Sequence, residues 1–146
     1  MAREDFRFVH SLRVRWAEVD RQGIVFNAHY LLYFDVGVTE YWRALGYPYP
    51  DALVAHGTDL YVKHARVEYH LPATYDDMLG VLVRVARIGR SSLRLLLEVH
   101  RGEQLLVNGE LIYVNADPLA RKSAPVPAFL RAAILGFERV APELAP

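Results

Sequence analysis

The chain contains no cysteine, which removes disulfides, zinc-thiolate centres and a cysteine nucleophile together. It also lacks an excess of either charge. Its 17 Lys and Arg balance 17 Asp and Glu, and the basic residues are scattered, so the electrostatic footprint of a nucleic-acid binder is missing. No run approaches the roughly 18 apolar residues of a membrane span. The opening MAREDFRF is charged and has no apolar stretch, so it reads as neither signal peptide nor anchor. A soluble, cytoplasmic protein with no nucleic-acid or membrane partner is expected. There is no Pro/Gly/Ser-rich linker, and 146 residues, 53% of them hydrophobic, suffice for one domain spanning 1–146 with a real core.

The stretch Val14 to Gly46 organises the rest. It begins as the end of a strand, Arg7 to Trp16, in which Phe8, His10, Leu12, Val14 and Trp16 share one side. It breaks at a turn carrying Asp20 and Gly23. It then becomes a helix from Ala28 to Leu45, with Asn27 as N-cap and Leu31, Phe34, Val38, Trp42 and Leu45 along one face. Such a helix is ~27 Å long at 1.5 Å per residue. Gly37 in its interior costs about 1 kcal/mol against alanine, which points to close approach of another backbone. The segment Tyr47 to Asp51 turns the chain, and DALVAH forms a short helical turn.

From Thr58 the period becomes two. Ala65, Val67, Tyr69 and Leu71 oppose His64, Arg66, Glu68 and His70, and Pro72 ends that strand. Strands follow at Leu79–Ile88, at Leu93–His100 after the turn Gly89-Arg-Ser-Ser92, and at Gln104–Asn115 after the connection Gly102-Glu103. Prolines 125 and 127 lead into a tail helix, Ala128 to Arg139. The expectation is an α+β protein: a long helix against five antiparallel strands, the last four in hairpin succession, plus a short C-terminal helix. One helix cannot cover both faces of such a sheet, so self-association to a dimer or tetramer is expected.

The pattern from Trp16 through Glu18, Asp20, Gly23, Asn27 and Tyr30 to Phe34 resembles the hotdog-fold acyl-CoA thioesterases of the 4-hydroxybenzoyl-CoA thioesterase type, in which an Asp-x-x-Gly turn leads into a long helix. Arg87 to Ser92, the closing strand into Asp117 and the prolines before the tail helix extend the resemblance over nearly the whole chain. One departure is visible: where many members have Asp-Thr-Asp, this chain has Glu18-Val19-Asp20. The resemblance implies a hotdog fold and hydrolysis of an acyl-CoA thioester. Coenzyme A then enters as part of the substrate, and no separate cofactor is needed.

Thioester hydrolysis requires an attacking oxygen and stabilisation of charge on the carbonyl oxygen. Asp20 is the candidate for the first, as nucleophile or as general base toward water; without the resemblance it reads as a turn residue. The amides around Asn27 and Ala28, at a helix start, are candidates for the second. Gly23 shapes the turn and leaves room for a pantetheine arm. His29 and Tyr30, with Tyr33, are candidates to line the acyl pocket or to pack the core. Arg90, Ser91 and Ser92, with Arg87, Arg121 and Lys122, are candidates for the phosphates of coenzyme A, and Glu40 for support of a neighbouring subunit's site. His64 and His70 are too far apart along a strand to share an ion, so no metal is expected. Two alternatives stay open: a non-catalytic acyl-thioester binding or regulatory module on the same fold, and a thioesterase acting on acyl carrier protein. A hydratase would want an Asp/His pair that no motif here supplies.

Overall fold

A computed structural model describes residues 3–145. After a short 3₁₀ turn at Arg3–Asp5, strand β1 spans Phe8–Arg13 and a second 3₁₀ turn spans Trp16–Glu18. Helix α1 is His29–Ala44 and helix α2 is Asp51–His56. Strands β2 (Asp59–Tyr69), β3 (Met78–Ile88), β4 (Ser92–Arg101) and β5 (Gln104–Asp117) follow. The chain continues with β6 (Lys122–Ser123), helix α3 (Ala128–Phe137) and β7 (Glu143–Leu144). The five long strands run antiparallel in the order β1-β3-β4-β5-β2; β6 pairs with β5, and β7 adds a two-residue parallel pairing to β3.

The expected hairpin succession holds for β3-β4-β5 but not for β2. That strand crosses to the far edge and pairs with β5, Asp59 opposite Ala116 and Tyr69 opposite Val107. Alternation fixes which face a strand buries and says nothing about which neighbour it takes. As a result β1 and β2 are the two edges of the long-strand sheet, and the chain between them carries α1 across one face.

The sheet buries Leu79, Val81, Val83 and Val85 of β3 and Leu93, Leu95, Leu97 and Val99 of β4 against α1. The helix answers with Tyr30, Tyr33, Phe34, Gly37, Val38, Tyr41 and Trp42, a stripe at three- and four-residue spacing. Each large side chain so buried contributes about 1.5–3 kcal/mol. Leu31, expected on this face, is exposed instead. Gly37 is explained by side chains rather than by the expected backbone: a Cβ there would stand 2.6 Å from Val81 Cγ1 and 3.2 Å from Val83 Cγ2. Gly109 of β5 plays the same part for Phe34, whose Cε2 would lie 2.6 Å from an added Cβ that would also collide with the Arg66 carbonyl oxygen.

The outer face is less bare than expected. Leu82, Glu98 and His100 are buried there, Glu98 and His100 as a pair 2.8 Å apart, and Phe6 stands over Val9 and Leu82. The β2 edge is apolar and open at Tyr61, Val62 and Tyr69, as is Leu71 just beyond its end. At the other end of the fold Glu138, just after α3, accepts the Tyr41 hydroxyl at 2.6 Å and the Val85 N–H at 2.9 Å. No helix among the described residues is long and apolar enough to cross a membrane.

Candidate active site

Between β1 and α1 the chain folds into two linked turns. Glu18, 4% exposed, holds the first. Its Oε1 accepts the Arg15 N–H at 2.8 Å and the Tyr33 hydroxyl at 2.9 Å, and its Oε2 accepts Arg15 Nε at 2.8 Å. Burial alone would raise this carboxyl's pKa, but the Arg15 N–H, the guanidinium and the Tyr33 hydroxyl outweigh it and hold the group below its usual range. The Glu18 carbonyl accepts the Phe26 N–H at 2.9 Å, and Val19 pairs with Val25, so the segment between closes into a loop. Trp16, which alternation placed on the same side as Val14, is 72% exposed while Val14 is buried, because the chain leaves the strand at Arg13 and the Trp16 ring meets Tyr75 edge-on.

Asp20 sits at the corner of that loop. Its N–H donates to Ile24 O and its carbonyl accepts the Gly23 N–H, both at 2.9 Å. Gly23 turns with φ +79°, a left-handed value that glycine tolerates without strain. Asp20 Oδ1 accepts the Gln22 N–H at 2.7 Å. Its Oδ2 meets no donor among the described residues. One oxygen is anchored and the other is free.

The loop is tied in turn to the β2–β3 connection. Val25 N–H donates to Ala73 O at 2.9 Å, and Ala73 N–H donates to the Tyr30 hydroxyl at 3.1 Å. Asp77 Oδ2 fixes this connection by accepting the Thr74 N–H at 2.9 Å and the Arg101 guanidinium at 2.7 Å. Burial opposes ionisation of Asp77, but the Thr74 and Arg101 contacts prevail and its pKa is lowered.

A cavity of about 340 Å³ opens between the loop, the start of α1 and the end of β2. Of the residues singled out by sequence, Asp20, Asn27 and Tyr30 line it; Tyr69, His70, Leu71 and Pro72 form the wall that sequence reasoning missed. His70 is turned toward the outer face as well, where its Nε2 bonds the Asn108 side chain. Asn27 is not the side-chain cap expected: Ala28 occupies the N-cap position, and the first helical amides bond to Phe26 O and Asn27 O at 2.9 and 3.4 Å. The preceding turn supplies the acceptors, so no side chain is needed. Among the described residues the N–H groups of Asn27 and Ala28 meet no acceptor, and both stand at the positive end of the α1 dipole.

Gly23 and His29 lie beside the cavity rather than on it, His29 packing against Phe26 with ring centroids 5.9 Å apart. Arg90, Ser91 and Ser92 are not brought to it. Arg90 and Ser91 occupy the turn after the Ile88 end of β3 and Ser92 opens β4; there Arg90 O accepts the Val126 N–H and Ser91 O the Asn115 N–H, whereas the site adjoins the Met78 end. The strand between is ~33 Å long at ~3.3 Å per residue.

The family model described as the thioesterase-like superfamily matches residues 14–134, which takes in the loop, the cavity and every long strand after β1. The chain belongs to this superfamily. The acyl-CoA thioester hydrolase YbgC of Escherichia coli O157:H7 is 30% identical over 121 residues, 82% of this chain and 90% of that protein. Among solved structures, this thioesterase-like chain is similar to a thioesterase complexed with coenzyme A and Zn from Thermus thermophilus, with TM-score 0.80 and 28% identity over 92% of this chain and 96% of that one. It also superposes on a 1,4-dihydroxy-2-naphthoyl-CoA thioesterase from Synechocystis with TM-score 0.81, covering 87% and 94% of the two chains; at 22% identity that likeness concerns the fold alone. The architecture is the hotdog fold.

Proposed function

We propose that the cavity under the Asp20 loop is where an acyl-CoA thioester is hydrolysed, with the free Oδ2 of Asp20 as the attacking or proton-accepting atom. Family membership makes the chain a thioester-hydrolysing enzyme; the proposal concerns how it does this. The observation that carries it is that Asp20, with one carboxylate oxygen that meets no donor among the described residues, and Asn27, whose N–H meets no acceptor among them, line the same cavity. As a base, Asp20 takes a proton from water while the water oxygen bonds the carbonyl carbon. The charge passes to the carbonyl oxygen, held by the amides of Asn27 and Ala28. Collapse breaks the C–S bond, and the leaving thiolate takes the proton back from Asp20, giving the free acid and coenzyme A. As a nucleophile, Asp20 bonds the carbonyl carbon, expels the thiolate and leaves a mixed anhydride for water to open. Label found in Asp20 after a single turnover in oxygen-labelled water marks the second route, with water opening the anhydride at the Asp20 carboxyl carbon.

The substrate's nucleotide end is assigned to a second copy of the chain. Antiparallel pairing of two β2 edges about a two-fold axis would set the Arg90–Ser92 end of one copy beside the Asp20 end of the other. The open Tyr61, Val62 and Tyr69 at that edge support this arrangement. Glu40 is already paired with Arg43 at 3.1 Å and is given no part in it.

The test is thiol release from a panel of aliphatic and aromatic acyl-CoAs, with Asp20→Asn as control. Loss of the ionisable oxygen at constant size lowers turnover by about 10²–10⁴-fold and leaves acyl-CoA binding intact. Activity within a few-fold of wild type removes Asp20 from the mechanism. Binding without turnover across the panel would favour a non-catalytic module, and turnover confined to acylated, pantetheine-bearing carrier protein would change the carrier and not the chemistry.

A further inference from the structure

Four tyrosines belong to α1 or line the cavity, and three have spent their hydroxyl hydrogens. Tyr33 donates to Glu18 at 2.9 Å, Tyr41 to Glu138 at 2.6 Å and Tyr69 to the Asn27 carbonyl at 3.0 Å. Tyr30 differs. Its hydroxyl oxygen accepts the Ala73 N–H at 3.1 Å, and its hydrogen meets no acceptor among the described residues. The ring is 2% exposed and locked edge-on between Tyr33 and Tyr69, with centroids 5.7 and 5.6 Å away, so the hydroxyl cannot swing to find a partner. A buried hydroxyl that withholds its hydrogen bond is destabilising. The space it borders is the cavity, shared with Asp20 and Asn27.

We propose that Tyr30 donates a hydrogen bond to the carbonyl oxygen of the bound thioester, acting with the Asn27 and Ala28 amides as a third donor to the developing oxyanion. This rests on the thioesterase reading of the cavity. Placement agrees with it, since Tyr30 lies in the first turn of α1, two residues after Ala28. The Ala73 N–H matters because it anchors the oxygen and leaves the hydrogen uncommitted. Burial, partly opposed by that N–H, raises the hydroxyl's pKa, so it remains a donor through neutral and mildly alkaline pH. The bond strengthens as negative charge grows on the carbonyl oxygen.

Because Tyr30 also clamps Ala73, loss of activity in Tyr30→Phe would not separate donation from structure. Two inert ligands do. S-octyl-CoA has no carbonyl; the ketone isostere of octanoyl-CoA, with methylene in place of sulfur, keeps it. Wild type is expected to bind the ketone more tightly, and Tyr30→Phe to lose about tenfold or more of that preference and about 10²–10³-fold in kcat. Tyr41→Phe, whose hydroxyl is committed to Glu138 away from the cavity, keeps the preference. Equal weakening of both ligands in Tyr30→Phe, or no carbonyl preference in wild type, overturns the assignment. If Tyr30→Phe does not fold, 3-fluorotyrosine at position 30 retains the hydroxyl and makes it a stronger donor; the preference then rises, and an unchanged ratio overturns the proposal. These are binding ratios, so they fail independently of thiol release, which alone decides the thioesterase reading.

Discussion

Replacing Glu18 with Gln removes one charge from the buried support of the Asp20 loop while preserving shape. The amide oxygen can keep both the Arg15 N–H and the Tyr33 hydroxyl, now as neutral rather than charge-assisted bonds, a loss of about 1 kcal/mol each. The amide NH₂ then faces the Arg15 guanidinium, which is exposed and free to leave, so that contact adds about 0–1 kcal/mol. The sum is about 2–3 kcal/mol, or roughly 6–12 °C in Tm for a domain of this size. The sign with pH follows from the lowered folded-state pKa. The carboxylate's contribution is complete above the usual value of 4.5 and is lost as pH falls through the folded value. Thermal melts of wild type and variant should therefore be well separated near neutrality and converge in acid, where a protonated Glu18 resembles the amide. Turnover should fall about ten- to a hundredfold as the loop loosens. A Tm gap of the same size at neutral and acid pH, or none at neutrality, would refute the claim that ionised Glu18 holds the loop.

Gly109→Ala should lower stability by about 1–3 kcal/mol, read in urea titrations, because the added methyl group meets the Arg66 carbonyl and the Phe34 ring; an unchanged midpoint would contradict that packing. Glu138 has the opposite linkage to Glu18. Burial raises its pKa despite the Tyr41, Val85 and arginine contacts, so its contribution is full below 4.5 and fades as pH rises through the folded value. Melts of Glu138→Gln should accordingly gain on wild type from acid toward alkaline pH, and a parallel pair of curves would count against it. Wild type should scatter light as a dimer at micromolar concentration and Val62→Lys, on the open β2 edge, as a monomer; a wild-type monomer would contradict the second-copy arrangement.

The Asp20 corner and the helix after it were legible because both are written locally. An acid, a glycine three residues on and a three-to-four apolar repeat each fold on their own neighbours. The opposite wall was not legible, since Tyr69 to Pro72 reach the cavity only through the sheet order, and the alternation of β2 is the same whether it neighbours β3 or β5. Asn27 misled for a related reason: cap preference describes a side chain, and here backbone carbonyls of the turn did the work. Trp16 continued the strand's alternation on paper, but the chain had already left the sheet. Tyr30 was placed between lining and packing, and its geometry answers both descriptions, a ring in the core and a hydroxyl at the cavity.

The sheet order also constrains how the chain folds. β3, β4 and β5 close by short connections and can form early, whereas β2 is made before them and has no partner until β5 is complete, Asp59 waiting for Ala116. Long-range pairing of this kind slows folding. During synthesis the segment from Asp59 to Tyr69, with its apolar edge unpaired, stays open to wrong partners until β5 emerges.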